Sequence, residues 1–476
     1  MNNSKPFIHL FATPKGCYCY DVNTNQILPV SQDVYAYLEQ VLAGEEPVAG
    51  VETTSQLESL RRQGYLSSQR PKKIEHELSE LLEHYLQHDV EQVLLQLTQN
   101  CNFRCDYCAY VPHEYDHQRH HAQRQMSWET AKAAIDFFVA HSGNHPFAMV
   151  GLYGGEPLLA FDLIEKLVPY VEQALEGKRV SFLMTTNGSL FTPERMAFLA
   201  EHQIQATVSL DGSRERHNLS RKFAANGKGT YDVVLDNLRR LKRAYPDYFR
   251  TCIGINLVMD PRFGCEETYR IFQEDELFDT DNIRMNMLDD TFSLEKSALS
   301  QEFVVDYNIG QFKAYQSLVG RYPSERVSPL VYANVREALD ATTSAMVPTK
   351  RLLDRMSPAG PCMPGRKKIF IDVDGIFYPC EKVSETSEVM RIGNVKDGFD
   401  YAKARALLNV GALTQEQCKN CWALRHCKSC ARACDNNGEL SAVLRLSMCH
   451  EVRRQVENEL RDYTLLREFG WEREGI

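Results

Sequence analysis

The chain has 476 residues and a formal net charge of −10, with 43% hydrophobic and 25% charged residues, the balance of an ordinary soluble protein. At roughly 150 residues per domain there is room for about three domains, and the acidic balance argues against a dominant basic face for nucleic acid. No apolar run approaches the roughly 20 residues that span a bilayer, and the first residues lack the apolar core and cleavage site of a signal peptide. The expected setting is therefore the cytoplasm, with neither nucleic acid nor membrane as partner.

Residues 1–75 are expected to form a small module. "FIHLFAT", "CYCYDV" and "QILPV" alternate as short strands, with turns at "PKG" and "NTN". Two helical stretches follow, "SQDVYAYLEQVL" behind a Ser N-cap and "TTSQLESLRRQGYL" ending near a glycine. This is the layout of a winged-helix domain. Cys17 and Cys19 fall on one face of one strand and suit packing better than ligation. Residues 76–92, charged and helix-periodic, read as a linker helix.

From 93 to 300 strand-like runs alternate with helices. The runs are "VLLQLTQ", "FAMVGLYGGE", "VSFLMTTNG", "IQATVSLDG", "TCIGINLVMD" and "IRMNML". Such alternation implies parallel βα units. Six units are too few for a closed eight-stranded barrel and suit a partial (β/α)6 barrel. Chemistry in such folds sits on loops at the C-terminal ends of the strands. Residues 301–355 read as a helical bridge without a motif. Residues 356–476 are cysteine-rich and end in an amphipathic helix.

Fifteen cysteines are many for a reducing compartment, where clusters of them mean metal or redox chemistry more often than disulfides. "CNFRCDYC" places Cys101, Cys105 and Cys108 on the loop after the first strand. Three thiolates there suit a [4Fe–4S] cluster whose fourth iron stays open to a small molecule. Zinc prefers four ligands, and His113 or His117 would be the candidate fourth. Cys362, Cys380, Cys418, Cys421, Cys427, Cys430, Cys434 and Cys449 are enough for two further four-cysteine sites, of iron–sulfur or zinc type. Cys252 and Cys265 read as ordinary buried cysteines. Tyr107 and Tyr110, beside Cys108, fit either a shield over the cluster or simple packing.

The triplet after the first strand, with "YGGEP", "TTNG" and "SLDG" behind the second, third and fourth, resembles the radical S-adenosylmethionine (SAM) enzymes across the predicted barrel. The resemblance implies a cluster on Cys101, Cys105 and Cys108. It assigns Gly154, Gly155, Glu156, Pro157, Thr186, Asn187, Ser209, Asp211 and Arg221 to SAM, with Arg221 meeting the cofactor carboxylate. A cleaved sulfonium would yield a 5′-deoxyadenosyl radical, and no catalytic side chain beyond cluster and SAM is implied.

The C-terminal pattern resembles the auxiliary-cluster domain called SPASM. By that resemblance Cys362 and Cys380 with Cys430, Cys434 or both hold auxiliary cluster I. Cys418, Cys421, Cys427 and Cys449 hold cluster II. The sequence departs from the family in placing Ala431 where a cysteine is usual. Full coordination of cluster I and an iron left open for a substrate thiolate are both compatible with this.

The N-terminal module resembles the peptide-recognition elements of peptide maturases, and the whole order resembles the thioether-forming (ranthipeptide or sactipeptide) maturases. The resemblance implies three [4Fe–4S] clusters, SAM, a precursor peptide bound through its leader, and an electron donor such as flavodoxin or ferredoxin. The rival readings are carbon–carbon crosslinking, another radical oxidation of a peptide or protein side chain, and a non-catalytic zinc or electron-transfer protein.

Overall fold

The computed structural model describes residues 5–111, 118–291, 297–360 and 362–473. His113 and His117, the candidate zinc ligands, lie outside the described residues.

The N-terminal strands Ile8–Thr13, Gly16–Asp21 and Gln26–Val30 form an antiparallel sheet with the middle strand at its centre. The helix Gln32–Ala43 begins where Ser31 accepts the Val34 N–H and stops where Gly44 turns at φ 96°. That helix and Val51–Arg62 bury Val34, Leu38 and Leu57 against Ile8 and Cys19 on one face of the sheet. On the other face Phe7, Phe11, Tyr20 and Val22 pack with Ala423, Val456 and Leu460 from the C-terminal region.

The stretch 76–92, expected as one linker helix, holds a 3-10 turn at Ser79–Leu81 and the helix Leu82–His88, and Gln92 already opens the first barrel strand. Just before it the two-residue strand Lys73–Ile74 pairs with Arg355–Met356.

The six expected barrel strands are Gln92–Thr98, Phe147–Gly154, Arg179–Thr186, Gln205–Ser209, Ile253–Met259 and Ile283–Met287. They pair in parallel, in chain order. Their period-2 pattern buries one set of side chains, such as Phe182 and Met184, in the main core. Leu183, Thr185, Thr207 and Arg284 point the other way, into a cavity of about 400 Å³ shared with Tyr153 and Lys368.

The sheet does not end at its first strand. Ile369–Ile371 adds in parallel beside Gln92–Thr98, and Ile376–Tyr378, Gly393–Asn394 and Gly398–Phe399 continue antiparallel, giving a ten-stranded mixed sheet. The cysteine-rich region is thus stitched onto the barrel by backbone hydrogen bonds. Helices Gln301–Leu318 and Pro329–Ala345 fill the bridge, and Cys449–Glu468 closes the chain against the N-terminal sheet.

Candidate active site

The loops after the first two barrel strands are laced together through their backbones. The Gly155 N–H donates to the Thr98 carbonyl at 2.9 Å, and the Glu156 N–H to the Asn100 carbonyl at 2.9 Å. Glycine is required by this approach. A Cβ on Gly154, whose φ is +145°, would stand 2.3 Å from the Thr98 oxygen. One on Gly155 would stand 2.3 Å from the Asn100 oxygen and 3.1 Å from the Cys101 Cβ.

Glu156 is fully buried and ties the second loop to the third. Its carboxylate accepts from the Leu158 N–H at 3.1 Å, the Thr186 hydroxyl at 2.8 Å and the Asn187 N–H at 2.7 Å. Burial pushes its pKa up to about 6 against these hydrogen bonds. Pro157 opens the 3-10 turn Pro157–Ala160, in which Pro157, Leu158 and Ala160 are buried. The Asn187 amide donates to Asn102 at 2.8 Å and stands 3.9 Å from the Cys101 sulfur.

A short ribbon positions the rest. Phe103–Cys105 pairs antiparallel with Arg221–Phe223, and Cys105 lies opposite Arg221. The Arg221 Nε donates to Asp211 at 2.7 Å and Nη1 reaches the Cys105 sulfur at 3.9 Å. Asp211 also accepts from the Val258 N–H at 3.2 Å and from the Tyr107 hydroxyl. Asp211 and the buried Ser209 stand at the end of the fourth strand. Tyr107 is therefore fixed to the fourth loop, and Tyr110 accepts from Gln96 at 2.9 Å.

Cys101, Cys105 and Cys108 are drawn together by these braces. Backbone N–H groups of Phe103 and Tyr110 each stand 3.4 Å from the Cys101 and Cys108 sulfurs. Burial, with added charge from Glu156 at Cys101, pushes the Cys101 thiol up to about 12. Burial does the same at Cys105, against the pull of Arg221. Thiols so raised ionise only beside a strong cation, as metal ligation supplies. Among the described residues no three His, Cys, Asp or Glu side chains close tightly enough to hold one metal ion. A cluster, by contrast, spreads its thiolates over several irons.

The C-terminal cysteines fall into two groups. Cys418, Cys421, Cys427 and Cys449 line one cavity of about 270 Å³ together with Arg445 and Met448. Cys380 is pushed up to about 11 by burial, with Glu381, Cys362 and Cys430 adding to the rise. The fully buried Cys434 stands apart from Cys362 and Cys380 in its hydrogen bonding. Its sulfur meets the Cys430 carbonyl and the Arg445 Nη1, each at 3.7 Å.

The structure uses Glu156, Thr186, Asp211 and Arg221 to brace the cysteine loop, where the sequence pointed to them only as cofactor contacts. Asn102, His217 and Arg445 escaped sequence reading because no local motif marks them. The only local sign of Arg445 is its place one helical turn before Cys449.

The description "Radical SAM superfamily" matches residues 95–262. The chain is similar to a cysteine-type anaerobic sulfatase-maturating enzyme of Clostridium perfringens, 24% identical over 357 residues that cover 72% of this chain and 89% of the relative. It is also similar to the radical SAM cyclopropyl synthase TigE of Paramaledivibacter caminithermalis, 22% identical over 160 residues, or 32% of this chain and 33% of that one. Among solved structures, native anSMEcpe with bound AdoMet and Kp18Cys peptide superposes with a TM-score of 0.55 at 21% identity, covering 79% of this chain and 98% of that one. The fold is the radical SAM α/β fold with a mixed sheet.

Proposed function

We propose that this protein is a radical SAM maturase that forms thioether crosslinks in a ribosomally made precursor peptide, joining a cysteine sulfur to a backbone or side-chain carbon of an acceptor residue. The observation that carries the radical chemistry is the bracing of Cys101, Cys105 and Cys108 by the next three barrel loops, through Gly155, Glu156, Asn187, Asp211 and Arg221. These three thiolates would hold a [4Fe–4S] cluster, and the backbone around Gly154 to Pro157, with Ser209, would face SAM. The chemistry such a group supplies is one-electron cleavage of a sulfonium, giving a carbon radical that takes hydrogen from an unactivated carbon. The chain itself fixes positions and keeps water out. Asn187 and Arg221 direct N–H groups at the Cys101 and Cys105 sulfurs, and Tyr107 is anchored on Asp211.

The thioether product is supported by the C-terminal cysteines and the N-terminal module. Two auxiliary clusters, on Cys362, Cys380, Cys430 and Cys434 and on Cys418, Cys421, Cys427 and Cys449, would take the electron that closure of a carbon–sulfur bond releases. The first N-terminal strand is held against the last helix by His9–Glu457 at 3.1 Å and Thr13–Glu468 at 2.6 Å. Among the described residues nothing pairs with the outer edge of Gln26–Val30, which suits addition of a leader peptide as a fourth strand. Among the described residues no helix is long and apolar enough to cross a membrane. We place the protein in the cytoplasm, with a flavodoxin or ferredoxin as reductant.

A second reading, oxidation of a protein side chain, is favoured by the relationship to a sulfatase-maturating enzyme. Coexpression with a cysteine-containing candidate precursor separates the two. A thioether maturase removes two hydrogens per bridge and one alkylatable thiol with them. A product that loses hydrogens while every thiol still reacts would sink the thioether reading. Anaerobically reconstituted protein should release 5′-deoxyadenosine from SAM on reduction. Replacing Cys101, Cys105 and Cys108 by Ala should abolish that release, and survival of turnover would remove the active-site assignment.

A further inference from the structure

Arg445 lies on the short helix Ala442–Ser447 and is 3% exposed. A buried guanidinium ordinarily pairs with a carboxylate. The described hydrogen bonds of this one go elsewhere. Nε donates to the Thr414 hydroxyl at 3.1 Å, and Nη1 reaches the Ser429 hydroxyl at 3.4 Å and the Cys434 sulfur at 3.7 Å. The Thr414 hydroxyl stands 3.3 Å from the Cys418 sulfur. Arg445 also lines the cavity shared by Cys418, Cys421, Cys427 and Cys449. Its sulfur neighbours are therefore drawn from both C-terminal cysteine groups.

We infer that Arg445 is the shared counter-charge of the two auxiliary sites and raises their reduction potentials. The inference rests on the reading that these cysteines hold iron–sulfur clusters. A fixed cation stabilises whichever state carries more negative charge. One-electron reduction adds one negative charge, so the nearby cation favours the reduced form. The guanidinium itself is buried and so weakly screened, and it stands between the two groups. Arg445 would thus make the auxiliary sites better electron acceptors. It acts through the cysteine groups and is a positioning residue.

The test uses the full chain with Cys101, Cys105 and Cys108 replaced by Ala, so that only auxiliary clusters remain. Iron content and potentials from redox titration followed by electron paramagnetic resonance are read for Arg445→Gln, Arg445→Lys and, as a surface control, Arg454→Gln. Arg454 is exposed and pairs with Glu451 at 2.7 Å. The expected result is unchanged iron and, in Arg445→Gln, a midpoint lower by about 59 mV, a tenfold change for one electron. Arg445→Lys and Arg454→Gln should stay near the parent. Loss of iron in Arg445→Gln with retention in Arg445→Lys supports the inference too, since the charge is then what the site needs. Full iron with unmoved potentials in Arg445→Gln overturns it, as does loss of iron in both Arg445 variants, which marks a role in shape. A parent that takes up no iron overturns the cluster reading itself, and the inference with it.

Discussion

His217 is fully buried behind the Asp211 loop. Its Nδ1 accepts the Asp211 N–H at 3.3 Å, and its Nε2 donates to the Thr230 hydroxyl at 2.9 Å, which donates to the Arg221 carbonyl at 3.0 Å. That chain requires the neutral ring with its proton on Nε2. Burial, helped by the Arg221 charge, holds the pKa down at about 3. Because the folded value lies below the unfolded value of 6.5, the unfolded chain takes up the proton first as pH falls. The contribution is whole above pH 6.5 and is lost progressively towards pH 3. Between pH 6.5 and 5 this costs on the order of 2 kcal/mol. Thermal unfolding followed against pH should show that decline, and His217→Gln, though less stable at neutral pH, should show a shallower one.

Arg221 makes a second case at the same scale. Lysine keeps the charge but cannot span Asp211 and Cys105 at once. Arg221→Lys is expected to slow SAM cleavage by roughly ten- to a hundredfold, the kinetic equivalent of a lost charge-assisted hydrogen bond of about 1.5–3 kcal/mol. Release of 5′-deoxyadenosine measures this directly. Rates equal to the parent would mean that Arg221 does not position the cysteine loop.

At the scale of elements, the cysteine loop is held by neighbours that come from other strands. Gly155 is where two loops touch, so Gly155→Ala forces a backbone shift beside Cys101. An overpacked contact of this kind costs about 1–3 kcal/mol. With clusters held as proposed, the expected outcome is loss of iron at Cys101, Cys105 and Cys108 and retention of iron at the C-terminal cysteines. Iron analysis of the variant, compared with the Cys101, Cys105 and Cys108 to Ala variant, reads both. The six barrel strands and their helices were legible because each carries its own period and turn residues. The ribbon between Phe103–Cys105 and Arg221–Phe223 was not, because three-residue strands carry no period to read.

Across the whole molecule, the segment between Cys421 and Cys427 joins the two ends of the chain. Trp422 stacks on His9 with centroids 3.6 Å apart and planes 7° from parallel. Arg425 donates to the Val22 carbonyl at 2.6 Å, the Asn23 carbonyl at 3.1 Å and Thr349 at 2.7 Å. His426 meets the Tyr20 hydroxyl at 3.1 Å. The cysteines of "CWALRHC" face their cavity while the residues between them grip the N-terminal sheet. Arg425→Ala leaves the Val22 carbonyl without its Arg425 donor, while the Asn23 carbonyl keeps the Thr349 hydroxyl at 2.9 Å, a loss of about 1–3 kcal/mol. Hydrogen exchange of residues 5–30 should then quicken. Unchanged protection would show that the apolar contacts alone hold the module in place.

The six parallel units, the three-cysteine loop and the grouping of Cys418, Cys421 and Cys427 are legible in the sequence alone. Each of these is written within a few residues, as a side-chain period or a ligand spacing. Folding in three dimensions sets what lies between such segments. It set Arg221 opposite Cys105, brought Cys430 beside Cys362 and Cys380, and placed Arg445 between both cysteine groups. It also ran the barrel sheet on into the cysteine-rich region. These contacts join residues tens to hundreds of positions apart. They are fixed by which surfaces bury together and which backbone groups find partners, and no local pattern records that choice.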